Sequence, residues 1–304
     1  MRLYLPLSLI LVIITLSACG GGSTTPSSLQ QPPGETEGVV PIEPVAAERQ
    51  GEAPAARPVR ERKLVVLDPG HGGDEVGSAA NGVVEKASNL EMALRVEQLL
   101  LEQGADVLLT RRTDVRAAEQ IPGYTAARSD IQARIDLANK EAADVFVSIH
   151  SNGSTDAGQR GIEVWYDSSR TFATENLRLA FLLKERVLGE LRQYGYAAQD
   201  RGLFDGQCFR QRGERCFSLF VLGGARETRR EEIERRGGDA DALGFQGDAP
   251  IFSRPAVMPG ALVELLIITN AADAAVLRDE PGRQAMARGV AAAVIEFLAA
   301  KAGG

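Results

Sequence analysis

The chain has 304 residues, 44% hydrophobic and 5% aromatic, with a formal net charge of −7. That length suits one large α/β domain with appendages, or two small domains. The acidic balance, with basic residues dispersed among acids as in Arg229-Arg230-Glu231-Glu232, argues against a nucleic-acid partner.

At the N-terminus, Arg2 precedes an apolar run from Leu3 to Leu16, and Leu16-Ser17-Ala18-Cys19 then sets small residues before a cysteine. The run is too short for a comfortable membrane span and reads as an export signal. Its end looks like a bacterial lipobox, so residues 1–19 are expected to be a signal peptide with Cys19 the lipidated residue. Cleavage after Ala18 without lipid, or an uncleaved anchor, are the alternatives. The expected location is the cell envelope outside the cytoplasmic membrane, on an N-terminal lipid anchor. Residues 20–62, rich in Gly, Ser, Thr, Pro and Glu, read as a disordered tether.

The folded part is expected over 63–304. Leu64 to Leu67 is an apolar strand that ends in Asp68-Pro69-Gly70-His71, an imidazole set among glycines. Ser88-Asn89-Leu90-Glu91 reads as a capping box, which starts a helix there, engages Glu91 and leaves Glu85 just outside. Gly104 ends this helix and Ala105 to Thr110 is a short strand. Ile131, Ile135 and Ala138 mark a second helix. Val145 to His150 repeats the first strand's pattern and ends in the only other histidine of the chain. Gly161 to Tyr166 alternates as a strand, with Ile162, Val164 and Tyr166 set against Glu163 and Trp165. Leu177 to Leu191 carries a long helical stripe that Gly195 stops. Cys216 to Leu222 and Ala261 to Ile268 read as further strands, and Met286 to Leu298 as a last amphipathic helix. Strands alternating with helices predict a single α/β domain: a mostly parallel or mixed sheet of about six strands, with helices on both faces and ligands at the strand ends.

Two strand-terminal histidines suit a metal site, a catalytic base with its partner, or ordinary polar positions. Catalytic zinc commonly takes three protein ligands and keeps one position open. Among Asp74, Glu75 and Glu85, the last is preferred as the third ligand, because the first two lie too close to His71 without a very tight loop. Glu264 stands inside an apolar strand, where a carboxylate is costly to bury unless paired or functional. Burial would raise its pKa toward that of a general base and acid. The bland alternative is a salt bridge to an arginine such as Arg134.

At this point the chain resembles a known family, the zinc-dependent N-acetylmuramoyl-L-alanine amidases of the Amidase_3 class. Leu67-Asp68-Pro69-Gly70-His71-Gly72-Gly73, Glu85-Lys86 and Ser148-Ile149-His150-Ser151-Asn152 are similar to its three ligand blocks. Leu109-Thr110-Arg111, Arg134 with Ala138-Asn139, Gly161-Ile162-Glu163-Val164, Arg201-Gly202, and Val263-Glu264 with Asn270 match further elements in order. The resemblance implies hydrolysis of the amide between N-acetylmuramic acid and L-alanine in peptidoglycan. It implies Zn2+ held by His71, Glu85 and His150, a zinc-activated water, and Glu264 as general base and acid. Asn152 and Asn270 would orient substrate or Glu264, or merely cap strand ends. A wall-binding or regulatory protein on the same fold, or another zinc hydrolase acting on the wall, are the competing readings. No residue pattern specifies an activator protein.

Two stretches depart from the family's pattern. Leu203 to Arg215 is longer than its usual connection, and in an oxidising exterior Cys208 and Cys216 are candidates for a disulfide, with free thiols the alternative. Residues 223–260 form a long charged insertion, read either as a solvated excursion or as a lid beside the Glu264 strand. Within it Arg226 to Arg236 suggests a short polar helix, and Gly237 to Gly247 a flexible loop.

Overall fold

The computed structural model describes residues 61–302, apart from 121–124, 207–220, 225, 236–238, 242–244 and 246. Cys19, Cys208, Cys216, the signal segment, the tether up to residue 60 and most of the strand expected over 216–222 lie outside the described residues. Val221 and Leu222 of that expected strand stand in a turn.

The elements run in chain order as β1 (Leu64–Pro69), β2 (Ala79–Ala80), β3 (Val83–Val84), α1 (Glu85–Glu102), β4 (Asp106–Leu109) and α2 (Ala126–Lys140). There follow β5 (Val145–Asn152), β6 (Ile162–Tyr166), α3 (Ala173–Tyr194), β7 (Asp200–Asp205) and β8 (Arg226–Thr228). The chain closes with α4 (Arg230–Arg235), β9 (Ile251–Ser253), β10 (Gly260–Ile267), α5 (Ala271–Arg278) and α6 (Glu280–Ala302). The central sheet has six strands in the order β4-β1-β5-β10-β6-β7. All neighbours are parallel except β10 and β6, so the sheet is mixed.

Both faces of the sheet are covered, which is why β1 and β10 are apolar along nearly their whole length and buried at every position. Alternate side chains serve opposite cores. Val65, Leu67, Val147, Ile149 and Val263 pack with residues of α1, α3 and α6. Leu64, Val66, Phe146 and Leu262 pack with Ile135 and Ala138 of α2 and with Val221, Ala256 and Met258. None of the described helices is long and apolar enough to cross a membrane.

Two local expectations are corrected. Helix α1 starts at Glu85, with Val84 as its cap residue, and Glu91 pairs with Arg95 one turn on instead of closing a capping box. The start is set by tertiary contact: the Glu85 backbone N–H donates to the Ser78 carbonyl, and the Ser78 N–H donates back to the Glu85 carboxylate. Within 223–260 the expected short polar helix is present as α4 but spans only Arg230–Arg235, because Arg226–Thr228 pairs with Ile251–Ser253 as the β8–β9 ribbon. That ribbon is fastened to α2, since Arg128 donates to the hydroxyls of Thr228 and Ser253, both buried residues. It is therefore more than a solvated excursion.

Candidate metal and catalytic centre

Parallel pairing of β1 with β5 sets Asp68 beside Ser148 and Pro69 beside Ile149, so His71 and His150 emerge at the same end of adjacent strands. Glu85, in the first turn of α1, reaches between them. Its Oε1 lies 2.9 Å from His71 Nε2 and 3.1 Å from His150 Nδ1. Ligand atoms of the three residues all lie within 4.8 Å of one another. Ligands bound tetrahedrally at the usual 2.0–2.2 Å from zinc stand about 3.3 Å apart. The two nitrogen–oxygen distances are close to that spacing, and the three groups converge closely enough to hold a small divalent ion.

Glu75 supplies a contact that its sequence position concealed. The tight loop does form, closed by reciprocal backbone hydrogen bonds between Gly72 and Glu75. It brings the Glu75 carboxylate onto His71 Nδ1, the ring nitrogen facing away from Glu85. A carboxylate on the outer nitrogen fixes the ring's orientation and makes the inner nitrogen a better ligand. Burial disfavours the charged imidazole, but hydrogen bonds to Glu75 and Glu85 prevail and push His71 up to about 10. Glu85 is the mirror case: burial raises it, yet contacts from both histidines hold it well below the usual carboxylate range.

The loop carrying His71 is strained and firmly held. His71 has a left-handed φ of 63°, a conformation that a non-glycine residue keeps only when its surroundings impose it. Arg134 imposes it from below, donating to Asp68 Oδ1 at 2.8 Å, the Pro69 carbonyl at 2.7 Å and the His71 carbonyl at 2.8 Å. Arg111 donates to the Pro69 and Gly70 carbonyls, both at 3.0 Å. The glycines here make room for the candidate ligand side chains. A Cβ at Gly70 would stand 2.1 Å from His150 Nε2, and one at Gly77 would stand 2.6 Å from Glu85 Oε2.

Glu264 sits beside His150 across the β5–β10 pair. It is 5% exposed, and its Oε2 has no hydrogen-bond partner among the described residues. Burial, then the negative charges of Glu85 and Glu163, raise its pKa well above the ordinary value. The alternative pairing with Arg134 is not formed, because that guanidinium is occupied by Asp68 and Asp130. Just past Glu264 the ladder slips: Glu264 pairs with His150 but Ile267 with Asn152, leaving an extra residue on β10. Leu266 there has a left-handed φ of 69°, and the freed Ile267 N–H donates to Asp273 at 2.8 Å. Bulges of this kind re-aim side chains beside sites.

The remaining expected residues are placed as follows. Asn152 donates to Glu163 Oε1 at 2.7 Å, so its contact is to the neighbour of Glu264. Asn270 caps α5, accepting from the N–H groups of Ala272 and Asp273, and donates to the Ala157 carbonyl. Glu163, read from alternation as merely sharing a face with Trp165, is 4% exposed and lies directly opposite Glu264. Arg201 Nε donates to Glu163 Oε2 at 2.7 Å. No signal in β6 alone distinguishes Glu163 from a solvent-facing acid; the strand register does.

The chain is 38% identical over 106 residues to a germination-specific N-acetylmuramoyl-L-alanine amidase of Bacillus subtilis, covering 34% of this chain and 45% of that one. It is 29% identical over 253 residues to the N-acetylmuramoyl-L-alanine amidase AmiA of Escherichia coli, covering 81% of this chain and 79% of AmiA. It spans only 25% of a third relative, the Bacillus subtilis amidase LytC. Among solved structures, the CwlD amidase of Clostridioides difficile, in complex with the GerS lipoprotein, superposes with a TM-score of 0.57 at 18% identity, over 79% of this chain and all (100%) of that one. The amidase AmiC2 of Nostoc punctiforme gives 0.54 at 23% identity, over 78% and 97%. At those identities the structures speak for the fold alone. The family Amidase_3, N-acetylmuramoyl-L-alanine amidase, matches residues 65–296, and the chain belongs to it.

Proposed function

We propose that the protein hydrolyses the amide between the lactyl group of N-acetylmuramic acid and the L-alanine of the stem peptide, outside the cytoplasmic membrane. The observation that carries this reading is a buried Glu264 oxygen, without a partner among the described residues, on the strand beside a His71–Glu85–His150 cluster. His71, Glu85 and His150 would hold Zn2+, an ion suited to two imidazoles and a carboxylate. Bound there, the ion would supply Lewis acidity toward the amide carbonyl and acidify a water.

The protein's own residues do the rest. Glu75 holds His71 in the orientation that presents Nε2. Glu264 accepts the water proton at Oε2, the oxygen left without a partner, and returns it to the nitrogen of the departing L-alanine. Its raised proton affinity favours the first transfer, and its burial keeps bulk water from competing for the second. The Leu16-Ser17-Ala18-Cys19 pattern supports export and lipid anchoring at Cys19. The tether that follows would give the domain reach over the wall.

Digestion of purified sacculi tests the activity. New N-terminal L-alanine is the expected product; released acetate would indicate a deacetylase, a cleaved peptide bond a peptidase, and no soluble product a binding protein.

A further inference from the structure

One row of the sheet crosses the site and continues past it. His150 of β5 pairs with Glu264 of β10, Glu264 with Glu163 of β6, and Glu163 with Gly202 of β7. At β7 the register slips: Ile162 faces Asp200 and Glu163 faces Gly202, so Arg201 is the extra residue between them. The bulge turns Arg201 back along the row, where its Nε donates to Glu163 Oε2 at 2.7 Å.

Glu163 is fully engaged. Its other oxygen accepts from Asn152 Nδ2 at 2.7 Å and Trp165 Nε1 at 3.3 Å, so donors from three strands, β5, β6 and β7, fix it. Arg201 is not fully engaged. Its side chain is 18% exposed, and Glu163 is its only acceptor among the described residues. With Nε bound, the two terminal nitrogens still present a planar fork, the geometry that takes a carboxylate through two hydrogen bonds. Arg201 is the cation at the Glu163 end of this row, and Glu163 in turn stands opposite Glu264.

We infer that Arg201 is a substrate-binding residue that takes a carboxylate of the stem peptide one residue beyond the scissile amide. The inference rests on the proposed activity and names a determinant of its specificity. Strands lie about 4.8 Å apart, so Glu163 stands roughly two spacings from His150, and the guanidinium leans back over it. Two peptide residues span about 7 Å, which carries the second residue of the stem peptide to that position when the first is at the metal cluster. The glycan side of the bond offers hydroxyls and an acetamide, neither of which needs a cation. A stem-peptide second residue linked onward through its side-chain carboxyl leaves its α-carboxylate free, and that group matches the fork.

Two synthetic muramoyl peptides that differ only in this group, α-carboxylate against α-carboxamide, test the inference with the full-length protein. The wild type is expected to cleave the carboxylate form with a kcat/KM about tenfold to a hundredfold higher, the range for a charge-assisted pair. Arg201→Gln should bring that ratio close to one, and Arg201→Lys should retain part of it. If Arg201 only supported Glu163, Arg201→Gln would slow both substrates alike and leave the ratio unchanged, which overturns the inference. Equal handling of both substrates by the wild type overturns it without any variant. A wild type that frees N-terminal L-alanine from neither substrate overturns the proposed activity itself, and the inference with it.

Discussion

Replacing Arg134 with methionine removes a guanidinium whose five N–H groups are all engaged: on Asp68, on Asp130 through two nitrogens, and on the Pro69 and His71 carbonyls. The side chain is 2% exposed, and so no water replaces those bonds. Methionine nearly fills the volume, and the loss is therefore electrostatic. Two carboxylates, Asp68 and Asp130, lose their buried cation, and breaking such a pair costs about 3–5 kcal/mol. A domain's whole stability is about 5–15 kcal/mol. In urea, with a slope near 3 kcal/mol per molar, the midpoint should fall by about 1–2 M. Circular dichroism during urea titration measures it. Arg134→Lys keeps the charge but offers three donors for five, and a loss of about 2 kcal/mol is expected. In that variant the His71 carbonyl is less well held, and metal affinity should fall with stability. A methionine variant that loses under about 1 kcal/mol would refute the claim that this network holds the loop.

The same network predicts a pH dependence. Burial raises Asp68, but Arg134, Thr110 and Ser148 together hold it below its ordinary value. A folded pKa below the unfolded value of about 3.9 means stability that is present above that pH and lost as pH falls through the folded value. The stability difference between wild type and Asp68→Asn should therefore shrink from pH 6 toward pH 2, and a constant difference would contradict it. Gly70→Ala would place a Cβ 2.1 Å from His150 Nε2, so metal affinity, read by competition with a chelating dye, should drop at least about tenfold. Unchanged affinity would mean that His150 is not held against that wall. Glu264→Gln should keep its metal while turnover falls by about 100- to 10,000-fold, and an active variant would remove Glu264 from the proton-transfer role.

Much of the architecture is determined by the sequence alone. Strands covered on both faces are apolar along nearly their whole length, so β1, β5 and β10 are visible as apolar runs, and the positions where the first two lead into His71 and His150 are visible too. The helical stripe of α3 and its stop at Gly195 follow from period and from glycine's tolerance of a left-handed φ, here 97°. What the sequence left open depended on contacts between distant segments. The start of α1 is set by Ser78 reaching Glu85, and no local capping signal reports that. Alternation in β6 says only that Glu163 shares a face with Trp165. The antiparallel register with β10 makes that face the row of Glu264, and the bulge in β7 brings Arg201 to it. Local pattern marks the apolar side chains that are to be buried; whether an acid such as Glu163 is buried with them, and which carboxylate it faces, is decided only when the strands are laid side by side.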